Sequence, residues 1–520
     1  MKRAFIAAFA VALLATGASA SATAPETPLG LTAIALDGSV GLAWQPVAGA
    51  DHYSVYRGTS AASVTDQVTP AAGVAGASFV DTSPANGTAY YYAVRAVSDG
   101  LESTDSQLVQ TTPAPRSCSS GNDVVLENCF PGSSAWILHK TPTVAAGGIE
   151  GFATASSVQR GGSLDLKIRT AVDVPYSISI YRSGYYGGAG GRLFSVLTGF
   201  RGAAQPACTS DSSTGLYDCS NWSVSATIST TDQWPTGVYL ARLVRGDDGA
   251  ENEILFTVRD DGTAHALLYG LPFATYEAYN NYGGKSFYGF NSTGANTVAG
   301  TTQAVKVSFD RPFEQARSAE TTNFPDWYTR ADFPLVSWLE REGYDVGYGS
   351  NTDLERNGAT VRSHQAYTLG AHDEYYSSAM RAALEQGRDA GVSLLSLGGN
   401  SVYWRIRFEN GPGGGTDRVE VCYKTTSSNV RDPLGPTGTW RDPAGANSPE
   451  NALLGAMYVG DNSSTFFPLA VSAAQGSDRV FRYTPLHDQP AGSITAIGTW
   501  IMVAKLTFKS CLSNMSDAFN

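Results

Sequence analysis

The hydrophobic rhythm of this chain changes once along its length. Between residues 27 and 260, apolar side chains alternate with polar ones or form short runs, as in SLDLKIRTA, SISIYRSGY, GVYLARLVR and EILFTVRDD, with Gly, Pro and Asp in the gaps. A period of two puts one side of each run in a core, so these stretches predict the strands of β-sandwiches. From Ala264 the pattern alternates between strand and helix. AHALLYGLP reads as a buried strand, and LVSWLEREGYDVGYG as a helix followed by a strand, with Gly343 as the stop signal between them.

Residues 365–404, QAYTLGAHDEYYSSAMRAALEQGRDAGVSLLSLGGNSVYW, carry the most information. They read as a strand, the polar turn His372-Asp373-Glu374, an amphipathic helix from Ser377 to Asp389, the buried-type strand VSLLSL and a tight turn at Gly398-Gly399-Asn400. Parallel strands joined by a helix end on the same edge of their sheet, so His372, Glu374 and Asn400 are expected at one crevice. Open α/β sheets bind ligands there. The structural alternative is that the acidic turn caps the helix and the glycine turn merely reverses the chain.

These patterns divide the chain. Residues 27–113 and 118–260 predict two all-β, immunoglobulin-like sandwiches, and residues 264–510 an α/β domain with a largely parallel sheet, of the glutamine-amidotransferase or flavodoxin-like kind. Within that domain GPGGG, an isolated VEVCYK strand and two RDP triplets mark a loop-rich insertion at about 409–450. The first sandwich resembles a fibronectin type III domain: Trp44 ends one strand, Tyr53, Val55 and Tyr56 lie on the next, and GTAYYYAVRAVS places paired tyrosines after a turn. That resemblance implies a corner tyrosine, Tyr90 or Tyr92, hydrogen-bonded back to the chain, in a module that most simply acts as a spacer. TTPAPRS at residues 111–117 then reads as an extended linker.

Composition narrows the class of function. A chain of 520 residues with 42% hydrophobic and 16% charged residues is folded and multidomain. Its net charge of −12 offers no basic stripe for phosphates, which argues against a nucleic-acid partner. Residues 1–22 carry Lys2 and Arg3, an apolar run and Ala18-Ser19-Ala20, so a signal peptide and a secreted or periplasmic protein are expected. No later apolar stretch approaches about 18 residues, so no integral membrane segment is expected. Six cysteines suit an oxidising compartment, and equal gaps pair Cys118 with Cys129 and Cys208 with Cys219, leaving Cys422 for Cys511. Asn221 and Asn462 open glycosylation sequons. The absence of a GxSxG elbow disfavours a serine hydrolase.

The stretch ATYEAYNNYGGKSFYGFNSTG follows the first strand of the α/β domain, with Tyr276, Tyr279 and Tyr282 at every third position and Gly283-Gly284 ahead of Tyr288. A tyrosine stripe is usually core or interface. This one follows the carboxyl end of its strand and should overhang the crevice of Glu374. Phenolates and a carboxylate form an all-oxygen set suited to a hard cation such as ferric iron, whose charge would ionise phenols with an ordinary pKa of about 10.

The runs VLENCFPGSSAW, IEGFA, IYRSGYYGGAGGRL, TYEAYNNYGGKSFY, FPLVSWLEREGYDV, GAHDEYYSSAMRAALE, GGNSVYWRIRFE, VCYKTTSS and TGTWRDP resemble the large (beta) subunit family of N,N-dimethylformamidase over residues 118 to about 460. The resemblance implies an amidohydrolase with a mononuclear ferric iron held by Tyr279, Tyr288 and Glu374, with Tyr276 as the competitor for the first position. It also implies His372 and Asn400 as catalytic neighbours, the histidine passing a proton to the leaving amine and the asparagine orienting the substrate or its oxyanion, while the metal polarises the amide or a water. A small partner subunit or a homo-oligomer belongs to the same expectation.

Three features depart from the family pattern. No glutamate follows Glu450, whereas the family's enzyme uses one late in the domain, so either Glu450 substitutes or the general base is missing. The family's enzyme also works with a small partner subunit, which this chain does not contain. The exported character shifts the expected substrate toward a small extracellular amide, peptide-like or glycan-linked. These departures support a second reading, a non-catalytic extracellular glycan- or protein-binding surface protein with a degenerate enzyme domain.

Overall fold

The computed structural model describes residues 23–140, 147–313, 328–424, 430–457, 469–478 and 485–497. The expected signal segment, Asn462 and Cys511 lie outside the described residues.

Two β-sandwiches make up the first half. Thr32–Ala35, Val40–Ala43 and Ser78–Asp81 form an antiparallel sheet in the first, and Ile149–Ala153, Ser163–Thr170 and Ala226–Ser229 one in the second. A single ten-stranded sheet runs through both sandwiches. In it Val109–Thr111 pairs with Tyr90–Ser98 on one side and Gly191–Arg201 on the other, so main-chain hydrogen bonds join the sandwiches just ahead of the extended stretch at 112–117. Their cores are continuous too, because Trp44, Val94, Ile180 and Trp234 belong to one buried cluster.

The two candidate corner tyrosines divide the role between them. The Tyr90 hydroxyl accepts the Ala85 amide (3.1 Å), the backbone contact of a corner, while Tyr92 is fully buried and donates to Asp81 (3.0 Å). Both local disulfides are present, Cys118–Cys129 and Cys208–Cys219. Cys422 is a buried free thiol among the described residues. Among those residues no helix is long and apolar enough to cross a membrane.

The second half holds three sheets among the described residues, two that carry the site and a small one that pairs Leu469–Ser472 with Ile494–Ile497. In chain order the elements that carry the site are β1 (Leu267–Leu271), α1 (Phe273–Tyr279), β2 (Lys306–Ser308), α2 (Phe333–Arg341), β3 (Val346–Ser350), β4 (Ala366–Leu369), β5 (Tyr375–Ser377), α3 (Ser378–Asp389), β6 (Ser393–Ser396), β7 (Trp404–Glu409), β8 (Val419–Val421) and β9 (Gly438–Thr439). Four of them form a parallel sheet in the order β3-β1-β4-β6, as alternating strands and helices predict. Helix α3 spans the expected run, and Ser377 caps it by accepting the Met380 amide (3.1 Å). The turn His372-Asp373-Glu374 is therefore not the cap.

Two expectations change. VSLLSL is buried only in part: Val392 and Leu394 pack on a core, but β6 is the edge strand, with Leu395 and Leu397 37% and 60% exposed, because one flank has no neighbouring strand among the described residues. VEVCYK is not isolated either. β8 pairs with β2 and β7, and β7 pairs with β5 and β9, which gives a second, mixed sheet of five strands. The excursion returns because both sides of its alternation are buried, with Val419, Val421 and Tyr423 in one core and Cys422 in another.

Candidate metal centre

The candidate residues gather where the chain leaves β1 and β4. β3 and β4 flank β1 on opposite sides, so the strand order reverses between β1 and β4, and crevices in open sheets form at such a reversal. The two strand ends touch: a Cβ on Gly370 would stand 2.4 Å from Pro272 Cδ.

Glu374 is the centre of the cluster. It is 3% exposed, and its backbone amide donates to Thr275 Oγ1 (2.9 Å), which fixes it against α1. The hydroxyls of Tyr279 and Tyr288 both donate to its Oε2, at 3.0 and 2.9 Å, and His372 Nε2 lies 3.4 Å from the same oxygen. Trp404 Nε1 donates to the other oxygen, Oε1 (3.0 Å). The parallel register of β5 on β7, Tyr375 beside Trp404, puts that indole next to Glu374.

Each tyrosine of the stripe reaches a different acid. Tyr276 donates to Asp332 (2.7 Å), Tyr279 to Glu374 and Tyr282 to Glu150 of the second sandwich (2.7 Å). Of the two candidates for the first ligand position, Tyr279 donates to Glu374 and Tyr276 to Asp332. Asp332 also accepts from Tyr269 (2.7 Å) and from the Ala371 amide (2.9 Å), so Tyr276 helps to hold the turn that carries His372. After α1 the chain turns back through Gly283, whose φ is 82° and where a Cβ would strike the Tyr217 ring at 2.2 Å.

Asn400 reaches the same crevice by its backbone. Gly398 lies so close to the other turn that a Cβ would stand 1.5 Å from the Ala371 carbonyl oxygen, and the Val402 amide donates to the Asp373 carbonyl (2.8 Å). Asn400 itself has a left-handed backbone, φ 57°. Among the described residues no hydrogen bond links its side chain to Glu374. Glu450 makes a two-point contact with Arg441 (2.6 and 3.1 Å), whose guanidinium lies over the Tyr403 ring.

Trp404, Tyr375 and Lys424 are neighbours that sequence reasoning did not single out. Tyr375, fully buried, donates to the Tyr288 hydroxyl (2.8 Å). Lys424 is buried with Nζ 3.2 Å from the centre of the Tyr288 ring and 4.5 Å from that of Trp404, a cation on two aromatic faces. The signal lay in the alternation of VEVCYK, which puts Glu420, Cys422 and Lys424 on one face.

Charge organises these groups. Burial would raise the Glu374 carboxyl, but His372, Lys424 and the Tyr288 hydroxyl outweigh it and hold it below the ordinary carboxylate range. Burial lowers the Lys424 ammonium to about 8, against the pull of Glu374. Burial and the Glu374 charge push both phenols up, so they keep their protons and donate them to the carboxylate. Among the described residues no three His, Cys, Asp or Glu side chains form a group that could hold a metal. A cation at this site would need the phenols, and three converging hard oxygens suit a hard, highly charged ion.

The chain is 28% identical over 102 residues to the N,N-dimethylformamidase beta subunit of Paracoccus aminophilus, a match that covers 19% of this chain and 13% of that protein. The corresponding subunit of an Alcaligenes species gives the same values. An amylopullulanase of Thermoanaerobacter thermohydrosulfuricus is 36% identical over 104 residues, 20% of this chain and 7% of that protein. Among solved structures, a Fn3-like protein from Clostridium thermocellum is similar at 32% identity, covering 16% of this chain and 90% of that one, with a TM-score of 0.15. The family profile described as "N,N-dimethylformamidase beta subunit-like, C-terminal" matches residues 177–499, which hold both strand ends and every residue placed around Glu374. This chain belongs to the N,N-dimethylformamidase beta subunit-like family.

Proposed function

We propose that the protein is an exported amidohydrolase that cleaves a C–N amide bond at a ferric centre held by Tyr279, Tyr288 and Glu374. The observation that carries the proposal is the convergence of two phenol hydroxyls on one buried carboxylate oxygen, at 3.0 and 2.9 Å. Two phenol oxygens and a carboxylate gathered in this way would hold a hard cation. When bound, the iron would supply Lewis acidity toward an amide carbonyl or a water.

The chain's own residues would do the rest. His372 Nε2, at 3.4 Å from Glu374 Oε2, is placed to carry a proton to the leaving amine. The Asn400 turn packs on the His372 turn, and the Asn400 amide would orient the substrate or its oxyanion. Trp404 and Tyr375 close the inner side of Glu374 to water, so charges there act in a low dielectric. Lys424 helps to keep Glu374 ionised.

We read the parallel sheet as flavodoxin-like in kind, since β3-β1-β4-β6 is the order 2-1-3-4 in chain sequence with the site at its reversal. Two disulfides support export. The chain spans 13% of the length of the dimethylformamidase subunits it matches, and the substrate class we propose is small or peptide- and glycan-linked amides. The test is amine release from formamides, N-alkyl acetamides, short peptides and N-acetyl sugars by the iron-loaded protein. Turnover of one class, lost at least a hundredfold in His372→Ala, supports the proposal. No release from any class, with glycan binding that persists in a Glu374→Gln, His372→Ala double variant, would favour the binding-protein reading.

A further inference from the structure

We infer that Arg311 is the positioning residue that sets the two phenols on Glu374, because one guanidinium holds the main chain on both sides of Tyr279 and along the loop to Tyr288. Tyr279 ends α1, and Tyr288 returns after a loop without strand or helix in which Gly283 and Gly284 have φ of 82° and 85°. Such a segment has much conformational freedom to lose. Its position needs an external fixture.

Arg311, 1% exposed, supplies it. Its Nε donates to the Ser308 carbonyl (3.1 Å), one terminal nitrogen to the carbonyls of Tyr282 (3.0 Å) and Lys285 (3.1 Å), and the other to those of Glu277 (3.2 Å) and Asn280 (2.8 Å). A guanidinium has five N–H donors, and each is matched to a main-chain carbonyl. The Glu277 and Asn280 carbonyls belong to the end of α1, where carbonyls lack partners within the helix. The Tyr282 and Lys285 carbonyls lie in the loop, and Ser308 ends β2. One side chain thus satisfies the helix end that aims Tyr279, gathers the loop that returns Tyr288, and fastens both to the second sheet. Its charge faces Glu277 of α1, whose carboxylate is 3.5 Å from Nε, and Glu420 of β8.

Lysine cannot substitute. It has three donors on a point charge, where this site uses five in a plane. The clamp itself stands on these contacts, and its consequence for the centre rests on the proposed cation site.

The test uses the full chain with Arg311→Lys, under conditions where circular dichroism shows the native fold. Hydrogen exchange of peptides covering residues 273–293 should accelerate at least tenfold, exchange in α3 should stay unchanged, and Fe(III) affinity should fall at least tenfold. Exchange in 273–293 within twofold of the wild type would overturn the inference, as would faster exchange with unaltered iron affinity. The wild type gives a second arm that does not depend on the variant folding. There the amides of Tyr282, Phe287 and Tyr288 should be protected to within tenfold of those in α3, and exchange at the rate of an open loop would overturn the clamp. A wild type that takes up no iron removes the proposed function and leaves the exchange test standing.

Discussion

The rings of Tyr279 and Tyr288 lie face to face, with centroids 4.0 Å apart and planes 23° apart, and both hydroxyls rest on the same oxygen of Glu374. The stack packs on Ala274, Ala278, Phe287 and Trp404, so ring position and hydroxyl chemistry are separable. Tyr279→Phe and Tyr288→Phe should each keep the stack and lose one donor to the ionised Glu374, worth about 1.5–3 kcal/mol, and Tyr288→Phe also removes the acceptor of the Tyr375 hydroxyl. The melting temperature should therefore fall by a few degrees, whereas bound iron should fall at least tenfold. Metal analysis beside a melting curve separates the two effects.

The Asn400 turn depends on a missing side chain. Gly398→Ala puts a methyl group 1.5 Å from the Ala371 carbonyl oxygen, and neither backbone segment can yield without moving the other. Overpacking of this kind costs about 1–3 kcal/mol. The expected outcome is a lower melting temperature together with lost turnover, since the same contact seats the His372 turn. Gly399→Ala, where a Cβ would meet nothing within 4 Å, is the control that should retain both.

The second sandwich is fastened to the α/β domain by a fully buried ion pair. Arg182, on the strand Pro175–Ser183, donates to both oxygens of Glu340 on α2 (2.8 and 3.1 Å), and Tyr348 and Asn128 donate to the same carboxylate. Glu340→Leu would strand a buried guanidinium and should cost about 3–5 kcal/mol in chemical denaturation. Adding Arg182→Met to Glu340→Leu should recover much of that loss, because no uncompensated charge remains. A double variant no more stable than Glu340→Leu would contradict this account.

Glu420 should make the fold less stable as pH rises. Burial, with Glu277 and Glu374 nearby, pushes its carboxyl well above the ordinary range although Lys424 and Arg311 oppose the shift. Above about pH 4.3 the unfolded chain releases this proton while the folded chain keeps it, so stability falls with rising pH, by up to about 1.4 kcal/mol per unit from this group. Glu420→Gln removes the titration. Unfolding free energies measured at about pH 5 and about pH 8 should differ less in the variant than in the wild type, and an equal difference would contradict the assignment.

Much of the site was legible because topology is. The hydrophobic periods of residues 365–404 give a helix between two parallel strands, and that connection alone brings His372, Glu374 and Asn400 to one edge. Spacing could not choose between Tyr276 and Tyr279. They lie three residues apart on one helix, and each finds a buried carboxylate, Asp332 or Glu374, a distinction that depends on where α2 and its preceding turn pack. Lys424 and Trp404 were hidden for another reason: they reach Glu374 through the register of the second sheet, two of whose strands, β8 and β9, lie within the stretch read as an excursion. The exposure of Leu395 and Leu397 shows the reverse limit, since an apolar run does not reveal whether its strand has one neighbour or two.

The most direct measurement is the metal content of the purified wild type and of Glu374→Gln after both are loaded with iron under the same conditions. The account predicts about one iron per chain in the wild type, with a visible absorption from tyrosinate bound to ferric iron, and loss of both in the variant. Equal iron in the two proteins, or none in either, would contradict it.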